Sequence, residues 1–153
     1  MIRAWVALSC VAFATWGCDP RLPDAAERGR AGSPAARERV GVREERVGEA
    51  GLYRVAIAPE GGVIPLGQIH SWLVEVATAA GEPFVPTRLA FDGGMPQHGH
   101  GLPTAPRVTR ALDDGRFRVE GVKFHMGGDW TVRVEVVGPS GADVAVFHVP
   151  VDG

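Results

Sequence analysis

Thr131-Val132-Arg133-Val134-Glu135-Val136 is the stretch on which the fold turns. Valine at every second position puts three β-branched side chains on one face, with Thr131, Arg133 and Glu135 on the other. A period of two belongs to a strand with one buried and one wet face; a helix would scatter these valines around its axis. The same pattern recurs on both sides. Upstream, Phe117 and Val119 alternate with Arg116, Arg118 and Glu120. Earlier still, Val85, Thr87, Leu89 and Phe91 alternate with Arg88 and Asp92. His70, Trp72, Val74 and Val76 share a face opposite Ser71 and Glu75, and Tyr53, Val55 and Ile57 share another. Downstream, residues 144–149 are apolar on both faces, which predicts a central strand.

The breaks between these runs are turn chemistry. Pro59-Glu60-Gly61-Gly62, Ala80-Gly81-Glu82-Pro83, Asp113-Asp114-Gly115 and Gly138-Pro139-Ser140-Gly141 each combine residues that accept positive φ or pre-set a bend. The 21 glycines and 12 prolines fit many short strands better than helices. Six to eight strands over roughly a hundred residues predict an all-β, Ig-like antiparallel sandwich of about seven strands. Residues 51–153 form this domain, with no internal repeat and no second domain. The net charge of −2 lacks the basic excess that nucleic acid demands, so nucleic acid is not an expected partner.

The N-terminus reads differently. Arg3 precedes an apolar run from Ala4 to Trp16 broken by Ser9 and Thr15. The run is shorter than the ~20 residues that span a bilayer and fits the apolar core of a secretory signal peptide, assigned to residues 1–17. It ends in Thr15-Trp16-Gly17-Cys18, which resembles the lipobox of bacterial lipoproteins, with Cys18 as the lipidated residue. Thr15 stands where that motif prefers Leu, and Trp16 where it prefers a small residue. An ordinary signal peptide with an incidental Cys18 is the alternative. Asp19 after Cys18 resembles a retention signal for the inner membrane. The expected location is the cell envelope, as a membrane lipoprotein facing the periplasm. The other cysteine, Cys10, lies inside the signal, so the mature domain has no disulfide. Residues 19–50 hold seven Arg, seven acidic residues and no aromatic. That composition predicts a solvated flexible linker over residues 18–50, with a weak helix over residues 35–50 as the alternative.

Chemistry is concentrated in two short segments. Gly93-Gly94-Met95-Pro96-Gln97-His98-Gly99-His100-Gly101 carries two imidazoles two residues apart, which an extended backbone points to one side. Phe124-His125-Met126-Gly127-Gly128-Asp129-Trp130 echoes it. Apart from the initiator, both methionines of the chain, Met95 and Met126, stand in these segments near histidine. Thioether is a soft ligand for Cu(I), and imidazole serves Cu(I), Cu(II) or Zn(II). The metal reading therefore takes Met95, His98 and His100 as copper ligands, completed by His125 or Met126. His125 and Met126 are neighbours, so a regular strand would turn only one of them toward the site. Two other readings stay open. In one, the methionines fill the core while the histidines bond backbone; in the other, the loop and Trp130 form a docking surface for a protein of the cell envelope. His70, on the face of Trp72, reads first as a core histidine and second as a partner that orients a ligand. His148 reads the same way, more weakly.

Enzyme signatures are missing. The chain has no G-x-S-x-G, no P-loop and neither H-E-x-x-H nor H-x-x-E-H, so no catalytic activity is expected. His98-Gly99-His100 shares the H-x-H of cupins, but Leu102-Pro103-Thr104-Ala105 follows where that family has a Glu.

The two segments together carry a resemblance. Gly94 to Pro106, with its M-P-Q-H-G-H-G-L-P-T-A-P run, and Gly121 to Trp130, with F-H-M-G-G-D-W, resemble the signature of the YtkA-like family, in the same order after His70-Ser71-Trp72. The resemblance covers about residues 52–149. It implies a compact Ig-like sandwich in an exported or membrane-anchored protein. Through the related FixH-like proteins it also implies copper supply to a recipient protein. Those relatives are anchored by a transmembrane helix, which this chain replaces with a lipobox-like signal.

Overall fold

The computed structural model describes residues 43–113 and 115–153. The signal-like run, Cys18 and most of the linker lie outside the described residues.

The alternation around Val134 becomes the longest hairpin. Strand β8 (Gly128–Gly138) pairs with β9 (Gly141–Val151) through the turn at Pro139-Ser140. Val132, Val134 and Val136 are buried, while Arg133 is exposed. Each fully buried side chain of this size removes apolar surface worth about 1.5–3 kcal/mol from water. The preceding strands are β1 (Glu44–Val47), β2 (Tyr53–Pro59), β3 (His70–Thr78), β4 (Arg88–Met95), β5 (His100–Gly101), β6 (Arg107–Ala111) and β7 (Arg116–Val122). They form two antiparallel sheets, ordered β1-β2-β3-β7-β6 and β5-β4-β8-β9. Trp72, Val74 and Val119 of the first sheet are buried in one core with Phe91, Val134 and Phe147 of the second. The fold is the all-β sandwich that the alternation predicts, with nine strands among the described residues rather than about seven.

Four strands differ from the sequence reading. The sheet begins at Glu44, so the last part of the expected linker is a strand and not a helix. Its residues are mostly exposed and charged, and they are held by pairing to β2 and not by apolar alternation. β5 and β6 are short and mostly exposed, so they too carry no period-two signal. Strand β9 lies at the edge of its sheet and not at the centre. Glu49 caps part of its free edge by donating its backbone N–H to the Val144 carbonyl at 2.9 Å, and Val144 and Val146 on its outer face are half-buried.

The register assigns every loop to one of two ends. At one end lie the start of β1, the β2–β3 loop, the β4–β5–β6 connections, the β7–β8 connection and the C-terminus. At the other lie the β1–β2, β3–β4, β6–β7 and β8–β9 connections. Both Gly-rich segments fall at the first end. Among the described residues there is no α-helix, and no helix is long and apolar enough to cross a membrane.

Candidate metal centre

The first Gly-rich segment closes on itself. Pro96–His98 is one 3-10 turn ended by Gly99, whose φ of 67° is left-handed, and Gly99 donates to the Pro96 carbonyl at 3.2 Å. The chain then returns as β5, with Met95 opposite His100 and Gly94 opposite Gly101. A Cβ at Gly94 would stand 2.9 Å from the His100 carbonyl, so this close approach needs glycine. Residues opposite one another in an antiparallel pair share a face. Met95 and His100 therefore both lie on the inward side, Met95 buried and His100 half-buried.

Phe124 to Gly127 of the second segment belong to the connection from β7 to β8, and Gly128 to Trp130 begin β8. The objection that His125 and Met126 must face opposite ways on a regular strand therefore lapses. Trp130 is fully buried and its indole Nε1 donates to the Met126 carbonyl at 3.1 Å, which fixes this loop over the core. His125 is exposed, and Met126 is half-buried against the core.

The two segments meet. The His100 and His125 ring centroids are 4.9 Å apart, and His98 stacks on His100 at 5.7 Å with 25° between the planes. His100 is thus the middle ring of three. Trp130 forms the floor, 5.9 Å from His100 and 5.4 Å from His125, with its indole edge-on to the latter at 81°. Met95 approaches from the core side: a Cβ on Gly128 would meet its Cε at 2.8 Å. Met126 follows His125 in the chain and packs against the core.

One atom of this cluster lacks a partner. His100 Nδ1 is buried and makes no hydrogen bond, although buried polar atoms normally do. A metal ion bound by imidazole at about 2 Å sits about 3 Å from the ring centroid, so two rings sharing it at a tetrahedral angle stand about 5 Å apart. The His100–His125 spacing of 4.9 Å matches that figure, and the 5.7 Å from His100 to His98 exceeds it. Among the described residues, however, no three His, Cys, Asp or Glu side chains stand as a ready metal-holding group.

His70 is held differently. Its Nδ1–H donates to the Gln68 carbonyl at 3.1 Å, and its Nε2 accepts from the Trp72 indole at 2.9 Å. Those two bonds use both nitrogens of a neutral ring, and burial lowers its pKa from the ordinary histidine value against the weaker opposing effect of the Gln68 bond. His70 thereby fixes Trp72 beside Phe91 and Phe124. It reaches the cluster only through Phe124, which packs edge-on against Trp130 at 5.0 Å. His148 is exposed on the outer face of β9.

Sequence reasoning misassigned Trp130 and missed Asp143. Trp130 serves as the buried floor under the histidines, so it is not part of an exposed docking surface. Asp143, at the opposite end, is 4% exposed. Its carboxylate accepts the backbone N–H groups of Ala50 (2.8 Å), Val144 (2.8 Å), Leu52 (2.9 Å) and Tyr53 (3.3 Å). Burial pushes its pKa up, but these four bonds outweigh it and the net value lies below the usual carboxylate range. Its signal was a single carboxylate on the same parity as Ala145, Phe147 and Val149.

The YtkA-like family model matches residues 49–135, which include both Gly-rich segments. The chain belongs to the YtkA-like family. The match spans more than half of the chain and ends within β8, so β9, which completes the second sheet, lies beyond it. The YtkA-like domain here also extends upstream of the match, to β1. No curated protein and no solved structure matches the chain.

Proposed function

We propose that this YtkA-like protein binds copper at the His/Met end of its sandwich and hands it to a recipient protein of the cell envelope, without catalysing a reaction. His98, His100 and His125 would supply imidazole nitrogen, and Met95 and Met126 thioether sulfur. The observation that carries the reading is the meeting of three imidazoles from two separate Gly-rich segments, with the middle ring holding a buried, unpartnered Nδ1. A donor set without thiolate suits an exported protein that handles copper in either oxidation state. His98 and His125 are exposed, so their rings can turn toward a shared ion without disturbing the core. The lipobox-like Cys18 supports anchoring as an envelope lipoprotein.

The test uses the position of Trp130. Cu(II) bound at these rings lies within a few ångströms of the indole and quenches its emission, while electron paramagnetic resonance reports nitrogen ligands. Saturable quenching at one equivalent, with a nitrogen-ligated spectrum, is the expected result. Unchanged emission and a spectrum of free Cu(II) would defeat the proposal.

The alternative, a protein-interaction module that binds no metal, draws on the exposed apolar side chains of the β2–β3 loop at the same end.

A further inference from the structure

The β2–β3 loop has features that the copper reading leaves unused. Residues 61–69, Gly-Gly-Val-Ile-Pro-Leu-Gly-Gln-Ile, contain no charge. Val63 is 64%, Leu66 38% and Ile69 68% exposed, which are three of the five most exposed large apolar residues among those described. Single exposed apolar residues are ordinary on a protein surface, but several in one short uncharged stretch mark a contact site. The loop is held in place. Gly67 donates to the Phe124 carbonyl at 2.8 Å, Gly62 to Pro59 at 3.0 Å and Glu60 to Ser71 at 2.9 Å. Ile64 packs against the core while its neighbours stay outside.

The chain enters the sandwich beside this loop. β1 enters the sandwich at Glu44 opposite Ile57, two residues before β2 ends at Pro59 and the loop begins. The described chain therefore starts at the same end as the loop, and 24 residues, 19–42, lie between Cys18 and Arg43. From this we infer that the β2–β3 loop seats Val63, Leu66 and Ile69 in the lipid surface of the membrane that holds the N-terminal anchor. The inference rests on the lipoprotein reading of Cys18. Branched aliphatic side chains without neighbouring charge enter the boundary between headgroups and acyl chains at little cost, and a covalent anchor supplies the local concentration that three side chains alone lack. The histidine cluster, at this end, would then face the membrane, where a membrane-embedded recipient could reach it.

The test compares the two ends in the full chain. Ile69→Cys and, as control, Val85→Cys (72% exposed in the β3–β4 connection at the far end) are made in a Cys10→Ser background. The proteins are purified from an acylating bacterial host, labelled with an environment-sensitive fluorophore, and reconstituted with mixed phosphatidylethanolamine–phosphatidylglycerol vesicles. Flotation with the vesicles reports the anchor independently of the label. The inference expects flotation, with a blue-shifted label at position 69 that lipid-borne spin labels quench and an aqueous label at position 85. Flotation with both labels aqueous overturns the membrane seat and leaves the anchor standing. Failure to float overturns both. Copper binding is read separately and is unaffected by either result.

Discussion

At one end of the sandwich the carboxylate of Asp143, 4% exposed, accepts four backbone N–H bonds; at the other, His100 keeps a buried Nδ1 with no partner. The first arrangement is a fastening. Asp143 ties the turn between β1 and β2 to the start of β9, and Tyr53 adds its hydroxyl, which donates to the Gly141 carbonyl at 3.2 Å and accepts from Ser140 at 2.9 Å. Every bond there is made within the protein, so nothing is left to bind. The second arrangement is incomplete within the chain. A buried nitrogen without a partner costs stability, and proteins keep such atoms where a ligand or water completes them. The contrast separates a polar group that serves the fold from one available for binding.

The comparison breaks first at Asp143. Asp143→Ala leaves buried backbone donors unsatisfied and should cost about 3 kcal/mol or more. That corresponds to a fall in melting temperature on the order of 10 °C, measurable by calorimetry. Copper binding by the remaining folded protein should be unchanged. Gly48→Ala strikes the same contact, because its Cβ would stand 2.2 Å from Asp143 Oδ2. It should destabilise in the same direction by a comparable or smaller amount, since the turn can shift.

His100→Phe gives the opposite pattern. It removes the unpartnered nitrogen and keeps an aromatic ring beside Trp130. The metal-free melting temperature should stay within a few degrees of the parent, while copper affinity falls at least tenfold. A large loss of stability would mean that His100 serves packing.

The effects of pH are smaller and separate the ends again. The Asp143 pKa is lowered on folding, so its stabilisation is complete above the ordinary carboxylate value. It is lost as pH falls below about 4 and through the folded value. The His70 pKa is also lowered, so the unfolded chain takes up that proton first as pH falls. Stability should decline modestly from about pH 6.5 downward until the folded ring also protonates. A chemical-denaturation series from pH 7.5 to 5 in His70→Gln, compared with the parent, isolates this contribution.

How far these regions were legible in sequence depends on which force shaped them. β3, β4, β7 and β8 bury one face and leave the other half-buried or exposed, so burial is recorded as alternation at Trp72, Phe91, Val119 and Val134. β1 is legible in no such way: Glu44-Glu45-Arg46-Val47 is a strand because β2 offers it an edge. β9 misled because its two apolar faces suggest a central strand, whereas Val144 and Val146 are only half-buried on the outer face of an edge strand. In the candidate site, residue types and glycine spacing announced unusual chemistry at Met95, His98, His100, His125 and Met126. Which rings meet depended on two loops reaching the same end, a long-range property. The burial of Trp130 was legible, because it shares the parity of Val132, Val134 and Val136, but its place under the histidines depended on the same meeting of loops.

The most direct measurement is a copper titration of residues 43–153, which keep β1, as Cu(I) under anaerobic competition with a chelator and as Cu(II) by spectroscopy. The same titration is run on His98→Ala/His100→Ala, with circular dichroism to confirm the sandwich. Stoichiometric binding by the parent that is lost in a folded double variant is the predicted result. No binding by the parent in either oxidation state, or undiminished binding by the folded double variant, would contradict the copper site.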